Sequence, residues 1–253
     1  MNLQEFFHDN PKAAIAFSGG VDSAYLLYAA LACGADVRAY FVKSQFQPEF
    51  ELEDACQQAE ELEERFGCSG ILKVLQADVL ADPVVTANPP DRCYHCKQKV
   101  FGKILDAAAQ DGYHLILDGT NASDEEGDRP GMRALREMEV RSPLRICGMT
   151  KAEIRRLSRE ADLFTWSKPS YACLATRVPT GRTITEEDLV RVEGAEKALA
   201  DMGFSDFRVR LYHDAARIQL PADQMTRAVT EKEKILDALK PSFAYVLIDL
   251  EGR

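Results

Sequence analysis

Residues 14–27 read Ala14-Ile15-Ala16-Phe17-Ser18-Gly19-Gly20-Val21-Asp22-Ser23-Ala24-Tyr25-Leu26-Leu27, an apolar run joined to a helical pattern by two glycines. The run predicts a buried strand that ends at Ser18, and the glycines allow a sharp turn before a helix begins at once. Successive N–H groups at that turn can converge on an anion, which the positive end of the helix dipole also attracts. Ser18 and Ser23 add hydroxyl donors. We therefore predict a phosphate-binding turn, which is not a Walker A loop because no Gly-Lys-Ser/Thr follows.

The chain from Lys12 to about Asp162 alternates short apolar runs with amphipathic stretches, which is the pattern of βα units. Continuous apolar runs are typical of strands buried on both faces of a parallel sheet. The predicted fold class is therefore α/β, a doubly wound parallel sheet whose ligands bind at the carboxyl ends of the strands. The predicted strands are 13–17, 37–42, 71–75 and 114–117, and the predicted helices are 22–33, 48–66 and 91–110.

Two loops at the carboxyl edge of this sheet carry the candidate phosphate ligands. The first is the glycine turn, in which Asp22 is also expected to support Mg²⁺ held by the same phosphates. The second follows the strand 114–117, and a small-residue loop there meets the same edge of the sheet, although an ordinary turn would also explain it. The candidates are Ser18, Gly19, Gly20, Val21, Asp22 and Ser23 in the first loop, and Gly119, Thr120 and Asn121 in the second.

The composition changes after Pro169, and Val178-Pro179-Thr180-Gly181 has the residues of a connecting turn. Beyond this turn, the pattern predicts a helix over 186–202 with Thr185 as its N-cap. Two strands (207–212 and 215–220), a helix (222–239) and a last strand (243–250) are predicted to follow. This αββαβ order suits a small α+β domain, so we predict a sheet domain over 1–180 and a C-terminal domain over 181–253.

Charge and hydropathy exclude several classes of protein. The 253 residues carry 31 Lys and Arg against 41 Asp and Glu, a formal net charge of −10. Binding to nucleic acid depends on neutralising phosphates with Lys and Arg, so no nucleic-acid partner is expected. The chain shows neither a basic N-terminal region followed by an apolar run nor the roughly 18 apolar residues of a membrane helix. We therefore expect a soluble cytoplasmic protein without a membrane partner.

Seven cysteines without a secretion signal predict reduced thiols, metal ligands or catalytic cysteines instead of a full set of disulfides. Cys93 and Cys96 form a CxxC at a predicted helix start, where amide N–H groups favour thiolates. Cys173 lies in a loop where the sheet domain ends. The spacing alone leaves a redox pair, a structural zinc site and three ligands to an iron-sulfur cluster equally open. The remaining cysteines are expected to be buried small hydrophobes: Cys33, Cys56, Cys68 and Cys147.

Further short motifs follow the glycine turn in a definite order: Cys93-Tyr94-His95-Cys96-Lys97, Gly119-Thr120-Asn121, Arg129-Pro130-Gly131, Ser142-Pro143-Leu144, Met149-Thr150-Lys151-Ala152-Glu153-Ile154-Arg155 and Cys173-Leu174-Ala175-Thr176-Arg177. Over nearly the whole chain this order resembles the LarE family of the PP-loop ATP pyrophosphatase superfamily. The resemblance implies an ATP-dependent sulfurtransferase that adenylates the carboxylates of pyridinium-3,5-biscarboxylic acid mononucleotide. It then converts them to thiocarboxylates for the nickel-pincer nucleotide cofactor.

The resemblance also implies roles for individual residues. ATP and Mg²⁺ are expected at the two loops of the sheet edge, with Asp22 as a catalytic residue. Cys93, Cys96 and Cys173 are similar to the ligands in the branch that holds a [4Fe-4S] cluster and passes on a cluster-bound sulfide. In the single-cysteine branch, the residue matching Cys173 gives up its own sulfur instead. Either route needs Cys173 as a catalytic residue, and the cluster route also implies a sulfide donor.

The C-terminal part of the resemblance concerns the substrate. Arg177 is expected to hold substrate or phosphate near the sulfur and to act in catalysis. Glu196 and Arg208 match the neighbourhood where the family binds substrate phosphate or metal. Gln219 stands where relatives are expected to have an acid, which weakens the case for a second metal site. Relatives also suggest a homo-oligomer.

Three other functions fit parts of the sequence. A PP-loop tRNA thiolase can also use a three-cysteine cluster, but it needs an RNA-binding surface that the net charge of −10 disfavours. An ammonia-dependent PP-loop synthetase would have no use for three cysteines. A non-catalytic redox sensor on the same sheet would bind nucleotide without releasing pyrophosphate, so a pyrophosphate assay distinguishes it from an enzyme.

Overall fold

The computed structural model describes residues 1–124 and 130–252. Two compact units make up the chain. The N-terminal unit comprises Met1–Val79 and Asp91–Lys168, and the C-terminal unit comprises Leu80–Pro90 and the chain from Pro169 onward. The early segment packs within the second unit, where the Asn88 side chain donates hydrogen bonds to the carbonyls of Val178 and Pro179 (3.3 and 2.8 Å). The division into domains 1–180 and 181–253 stays a prediction.

Helices and strands follow one another as the alternating pattern predicts. The strands are β1 (Lys12–Ala16), β2 (Asp36–Lys43), β3 (Leu72–Gln76), β4 (Ile116–Leu117), β5 (Arg208–Tyr212), β6 (Ala215–Gln219) and β7 (Tyr245–Ile248). The α-helices are α1 (Leu3–Asp9), α2 (Val21–Ala32), α3 (Glu49–Phe66), α4 (Pro83–Thr86), α5 (Arg92–Gln110), α6 (Pro130–Glu137), α7 (Pro143–Ile146), α8 (Lys151–Glu160), α9 (Glu186–Asp201), α10 (Ala222–Thr230) and α11 (Lys232–Leu239). Two 3₁₀ helices span Phe164–Ser167 and Leu174–Arg177. In the described ranges, no helix has both the length and the apolar character needed to cross a membrane.

The N-terminal unit is built on a parallel sheet in the order β3-β2-β1-β4. This confirms the predicted α/β fold class, because each of the four apolar runs forms a strand of this sheet. Helices cover both of its faces. Ala13 and Ile15 of β1 belong to an apolar cluster with Leu27 of α2, whereas the equally buried Ala14 lies outside that cluster. Successive side chains of a strand point to opposite faces of the sheet, which explains why Ala14 differs from Ala13 and Ile15. Helix α5 contacts β1 and β2.

The C-terminal unit contains a separate sheet in the order β5-β6-β7, antiparallel between β5 and β6 and parallel between β6 and β7. This confirms the predicted small α+β region, and the Thr185 hydroxyl caps α9 by accepting from the Asp188 N–H (3.1 Å). The single helix predicted over 222–239 is wrong. Glu231 leaves helical geometry (φ −93°, ψ 16°), so α10 ends before it and α11 begins after it.

Candidate functional site

The turn between β1 and α2 has a shape that only glycine allows. Gly19 has a φ of 73°, in the left-handed region, and a Cβ there would lie 3.2 Å from Ala55 N and Glu51 O of α3. Helix α2 begins immediately afterwards with Gly20 as its N-cap, which has no side chain to accept from the first N–H groups. These N–H groups therefore point to the sheet edge, where they can bind an anion.

The two serines of the turn hold it in place. The Ser23 hydroxyl accepts from the Ser18 N–H (3.2 Å) and donates to the Gly20 carbonyl (3.1 Å). The two hydroxyls lie 3.1 Å apart. Ser23 is buried, so these hydrogen bonds are shielded from water and stabilise the shape of the turn.

The second predicted loop meets the first at this edge, because β4 pairs in parallel with β1. A Cβ on Gly119 would lie 2.9 Å from the Ser23 N and 3.2 Å from the Asp22 Cβ, so the absence of a side chain permits the close approach. The Asn121 amide also donates to the Asp22 carboxylate at 3.3 Å. The structure thus brings the two predicted loops into direct contact.

The side chain of Asp118 holds the second loop in place by hydrogen bonds. Its buried carboxylate accepts hydrogen bonds from the hydroxyls of Thr120 (2.5 Å) and Ser142 (2.6 Å). The Thr120 N–H also points to this carboxylate at 3.3 Å. Thr120 was predicted as a ligand, but its hydroxyl donates a hydrogen bond within the protein. The sequence analysis quoted Ser142 in a motif but did not predict its contact with Asp118, because the two residues are 24 positions apart.

A cavity of about 260 Å³ opens between the two loops, and the basic side chain of Lys97 in α5 helps to line it. Gly131 of α6 leaves room for this lysine, since a Cβ there would lie 3.2 Å from Lys97 Cε. Burial lowers the pKa of Lys97, although Asp118 and the Cys93 thiol act in the opposite direction. The other residues that line the cavity include Ser18, Asp22, Ser23, Gly119 and Thr120. Lys97 was part of a recognised motif but received no role from the sequence.

A second lysine reaches the site from α8. The Lys151 ammonium forms an ion pair with the Asp22 carboxylate, and both side chains are largely buried. Burial raises the pKa of the Asp22 carboxyl, while Lys151 acts in the opposite direction. Sequence reasoning quoted Lys151 in a motif without predicting this contact.

The three cysteines predicted as cluster ligands belong to different units. Cys93 and Cys96 lie three residues apart near the start of α5, on one face of the helix and next to Lys97. Cys173, half-buried, immediately precedes the 3₁₀ helix Leu174–Arg177 of the C-terminal unit. Within residues 1–124 and 130–252, no disulfide forms and no group of three His, Cys, Asp or Glu side chains is arranged to hold a metal ion. The cluster ligands therefore stay a prediction.

The other cysteines only partly match the expectation that they are buried. Cys56, Cys68 and Cys147 are half-buried, but Cys33 is exposed at the end of α2. For Cys33 the expectation is wrong, because the chain turns at the surface there. The predicted motif residue Arg129 lies outside the described residues.

The predicted substrate ligands of the C-terminal unit lie in one buried cluster. Arg177 is 1% exposed and forms a two-pronged ion pair with Glu196, with nitrogen–oxygen distances of 2.7 and 3.1 Å. Arg208 is also buried, and its guanidinium lies 4.9 Å from the centre of the Tyr171 ring. Gln219 bonds to Arg210 and Asp249. The predicted roles of Arg177, Glu196 and Arg208 as substrate ligands stay predictions.

Three proteins are similar to this chain over almost its full length. A pyridinium-3,5-bisthiocarboxylic acid mononucleotide synthase of Lactiplantibacillus plantarum is 33% identical over 96% of this chain and 87% of its own length. An uncharacterized protein of Synechocystis is 38% identical over 99% of this chain and 93% of its own length. A third, from Methanocaldococcus jannaschii and also uncharacterized, is 33% identical over 99% and 93%.

A scan against family models matched none of them. The relationship therefore rests on whole-chain similarity. At one third identity over 96% of this chain, that similarity is sufficient to assign a family. The chain belongs to the LarE family, the family of the pyridinium-3,5-bisthiocarboxylic acid mononucleotide synthase.

Proposed function

We propose that this protein is an ATP-dependent sulfurtransferase that acts on pyridinium-3,5-biscarboxylic acid mononucleotide. It adenylates the carboxylates of this substrate and converts them to thiocarboxylates for the nickel-pincer nucleotide cofactor. The observation that carries the proposal is the cavity between the glycine turn and the β4 loop, lined by Lys97. The similarity to the pyridinium-3,5-bisthiocarboxylic acid mononucleotide synthase of Lactiplantibacillus plantarum supports the choice of substrate.

The cavity is suited to the triphosphate of ATP. The amides of the turn Ser18–Ser23 and the start of α2 provide donors for phosphate oxygens. Lys97 adds a positive charge to the lining of the cavity, to which Gly119 and Thr120 also belong. Together with Asn121, these two loop residues are proposed to bind the nucleotide. Asp22 fits Mg²⁺, which usually binds one or two carboxylates together with substrate phosphates. Bound there, Mg²⁺ would neutralise charge on the phosphates.

A carboxylate is a poor acyl electrophile, so it must be activated by adenylation before sulfur can be transferred to it. A carboxylate oxygen attacks the α-phosphorus of ATP, the bond to the β-phosphate oxygen breaks, and pyrophosphate leaves. The resulting acyl adenylate has AMP as a good leaving group. Lys97 and the turn amides stabilise the negative charge that develops on the departing pyrophosphate. Lys151 and Asn121 hold the Asp22 carboxylate in place, where it would bind Mg²⁺.

Sulfur transfer follows at Cys173. We propose Cys93, Cys96 and Cys173 as ligands of a [4Fe-4S] cluster. The donor chemistry fits, since Cys93 and Cys96 lie on one face at the N-terminal end of α5, where thiolates are favoured. Such a cluster, when bound, supplies an iron that can carry an extra sulfide. Attack of sulfide on the acyl carbon expels AMP and leaves the thiocarboxylate. The proposal includes a sulfide donor.

The deciding experiment is release of pyrophosphate from ATP and Mg²⁺, with and without the pyridinium dicarboxylate mononucleotide. We expect release only when the dicarboxylate is present. Lys97→Ala should reduce the rate by roughly two orders of magnitude, as loss of an electrostatic stabiliser does. Lys103→Ala, an exposed lysine of the same helix, serves as the matched control and should behave as wild type.

Other outcomes identify the competing functions. ATP binding without pyrophosphate release in any mixture would reject the transferase and favour a redox sensor. Release that depends on tRNA instead of the dicarboxylate would indicate a thiolase.

Cluster and assembly need separate measurements. Anaerobic reconstitution with iron and sulfide should give a broad visible absorption that Cys93→Ala removes.

The proposal also includes a homo-oligomer that works in the cytoplasm. Size-exclusion chromatography with light scattering tests the oligomer, and a monomer at micromolar concentration would contradict it.

A further inference from the structure

The loop that carries Cys173 is held by the side chain of Arg177. The Arg177 Nη1 donates to the Ala172 carbonyl (3.0 Å) and to the Thr176 hydroxyl (2.8 Å). The Thr176 hydroxyl and N–H in turn donate to the Cys173 carbonyl, at 2.8 and 3.0 Å. The backbone carbonyl groups of Ala172 and Cys173 are thus both fixed by side chains from the following 3₁₀ helix.

Glu196 anchors this arginine in the interior of the C-terminal unit. One carboxylate oxygen accepts from Arg177 Nε and from the Val209 N–H of β5, at 2.7 and 2.9 Å. The other oxygen accepts from Arg177 Nη2 (3.1 Å) and from the Tyr171 hydroxyl. Glu196 therefore joins α9, β5 and both ends of the Cys173 loop at one point.

Two more arginines hold the outer parts of the same loop. Arg208 donates to the Ser170 carbonyl (2.6 Å), and Arg210 donates to the Thr176 carbonyl (2.5 Å). The Tyr171 ring lies close to two guanidinium groups, 4.5 Å from Arg177 and 4.9 Å from Arg208. Three arginines thus direct their donors at the main chain between residues 170 and 176.

The contacts and the burial of Arg177 and Glu196 indicate the role of these two residues. At least four of the Arg177 N–H donors are used inside the protein, and both residues are almost completely buried. A substrate ligand needs donors that face the substrate. A buried pair instead holds one geometry firmly, because separating its charges leaves each of them uncompensated.

We propose that Arg177 and Glu196 are positioning residues, which fix the conformation of the 170–176 loop and thereby the direction of the Cys173 thiol, and do not bind substrate. The inference rests on the proposed function for its purpose, since a thiol that transfers sulfur or holds a cluster must point at the reacting carbon. The geometry on which it stands belongs to the C-terminal unit alone.

The test uses backbone hydrogen exchange of the full-length protein. The double variant Arg177→Gln/Glu196→Gln removes both charges of the pair, so neither is left without its partner. In this variant, the amides of Thr176 and Val178 should exchange about tenfold faster or more. The amides of β6, and those of β5 other than Val209, which donates to Glu196, should exchange as in wild type. The control is Asp201→Asn, which removes an exposed ion pair of the same helix α9 and should change neither set. Wild-type exchange in the loop of the double variant would overturn the proposal.

A second variant with a smaller change tests the proposal even if the double variant unfolds. Tyr171→Phe removes the hydroxyl that bonds to Glu196 and keeps the ring between the guanidinium groups. It should speed exchange of the loop amides by a smaller factor than the double variant and leave the strands protected. If the double variant unfolds and Tyr171→Phe leaves loop exchange unchanged, the proposal fails.

A kinetic comparison separates positioning from substrate binding. In the Arg177→Gln/Glu196→Gln variant, pyrophosphate release should keep its KM for the dicarboxylate, while the yield of thiocarboxylate falls about tenfold or more. A raised KM with both products falling together would show that these residues bind substrate. If the wild-type protein releases no pyrophosphate, the proposed function fails, but the exchange measurement still decides the positioning role.

Discussion

The ammonium group of Lys151, in the first turn of α8, forms an ion pair with the carboxylate of Asp22, in the first turn of α2. The two residues are 129 positions apart in the chain. The pair places a positive charge beside the glycine turn, where phosphates are proposed to bind. Because Asp22 also lines the cavity, its partner Lys151 adds a positive charge at the edge of the proposed phosphate site.

Lys151→Ala should therefore weaken ATP binding. Loss of a charged hydrogen-bond donor costs ~1.5–3 kcal/mol, so we expect the Kd for ATP with Mg²⁺ to rise by roughly 10–100-fold. Isothermal titration calorimetry measures the change. Arg156→Ala, which removes an exposed ion pair with Glu160 on the same helix, is the control and should bind ATP normally. Equal affinity in the Lys151→Ala protein would remove this lysine from the site.

Gly119→Ala should separate the two loops of the site. The new Cβ would lie 2.9 Å from the Ser23 N, which is backbone and cannot rotate away. Overpacking of this kind costs ~1–3 kcal/mol of unfolding free energy, and ATP affinity should fall because the cavity changes shape. Urea denaturation gives the first quantity, and calorimetry gives the second.

Gly102→Ala is the matched control for this substitution. Gly102 lies within α5, and a Cβ there meets nothing within 4 Å. Replacing glycine by alanine inside a helix should stabilise the protein by ~0.5–1 kcal/mol. If both substitutions destabilise to the same extent, the close contact at Gly119 is not the cause.

Ser142→Ala should destabilise the N-terminal unit by removing a donor from the buried Asp118 carboxylate. A hydrogen bond to a charged group is worth ~1.5–3 kcal/mol, and urea denaturation should show a loss in that range. Ser142 makes no side-chain cap at α7, so lost capping does not confound the result. The exposed Ser69→Ala variant should unfold as wild type.

The contacts of the Asp111 carboxylate predict that the stability of the protein depends on pH. Lys73 donates to its carboxylate at 2.9 Å and Tyr40 at 2.8 Å, and these contacts lower the pKa of Asp111 to about 2. Because the folded pKa lies below the unfolded one, the stabilisation is complete above the ordinary value of about 4 and disappears as the pH falls through about 2. Asp111→Asn should therefore lower Tm at pH 7.

The difference in Tm between Asp111→Asn and wild type should shrink towards zero as the pH approaches 2. Differential scanning calorimetry at several pH values follows it. Asp106→Asn, an exposed acid of α5, should show no such trend. A constant difference across the whole range would mean that the charge of Asp111 does not stabilise the fold.

Much of the fold is predictable from local pattern. The turn Ser18–Ser23 is recognisable because a strand, two glycines and a helix start must follow one another without a gap, and Gly19 indeed adopts a positive φ. The strands are predictable because a parallel sheet needs continuous apolar runs. The break between α10 and α11 was not predictable, since 222–239 has helical periodicity throughout and only the dihedral angles of Glu231 interrupt it.

The amino-acid sequence by itself determined the parallel sheet, the glycine turn after β1 and the loop after β4, because backbone sterics and the spacing of apolar residues act over a few neighbouring positions. Only the tertiary structure decided that Lys151 meets Asp22, that Lys97 lines the cavity and that Arg177 is buried against Glu196. Such contacts join side chains far apart in the chain. Packing selects their partners after the elements have formed, and no local period encodes that choice.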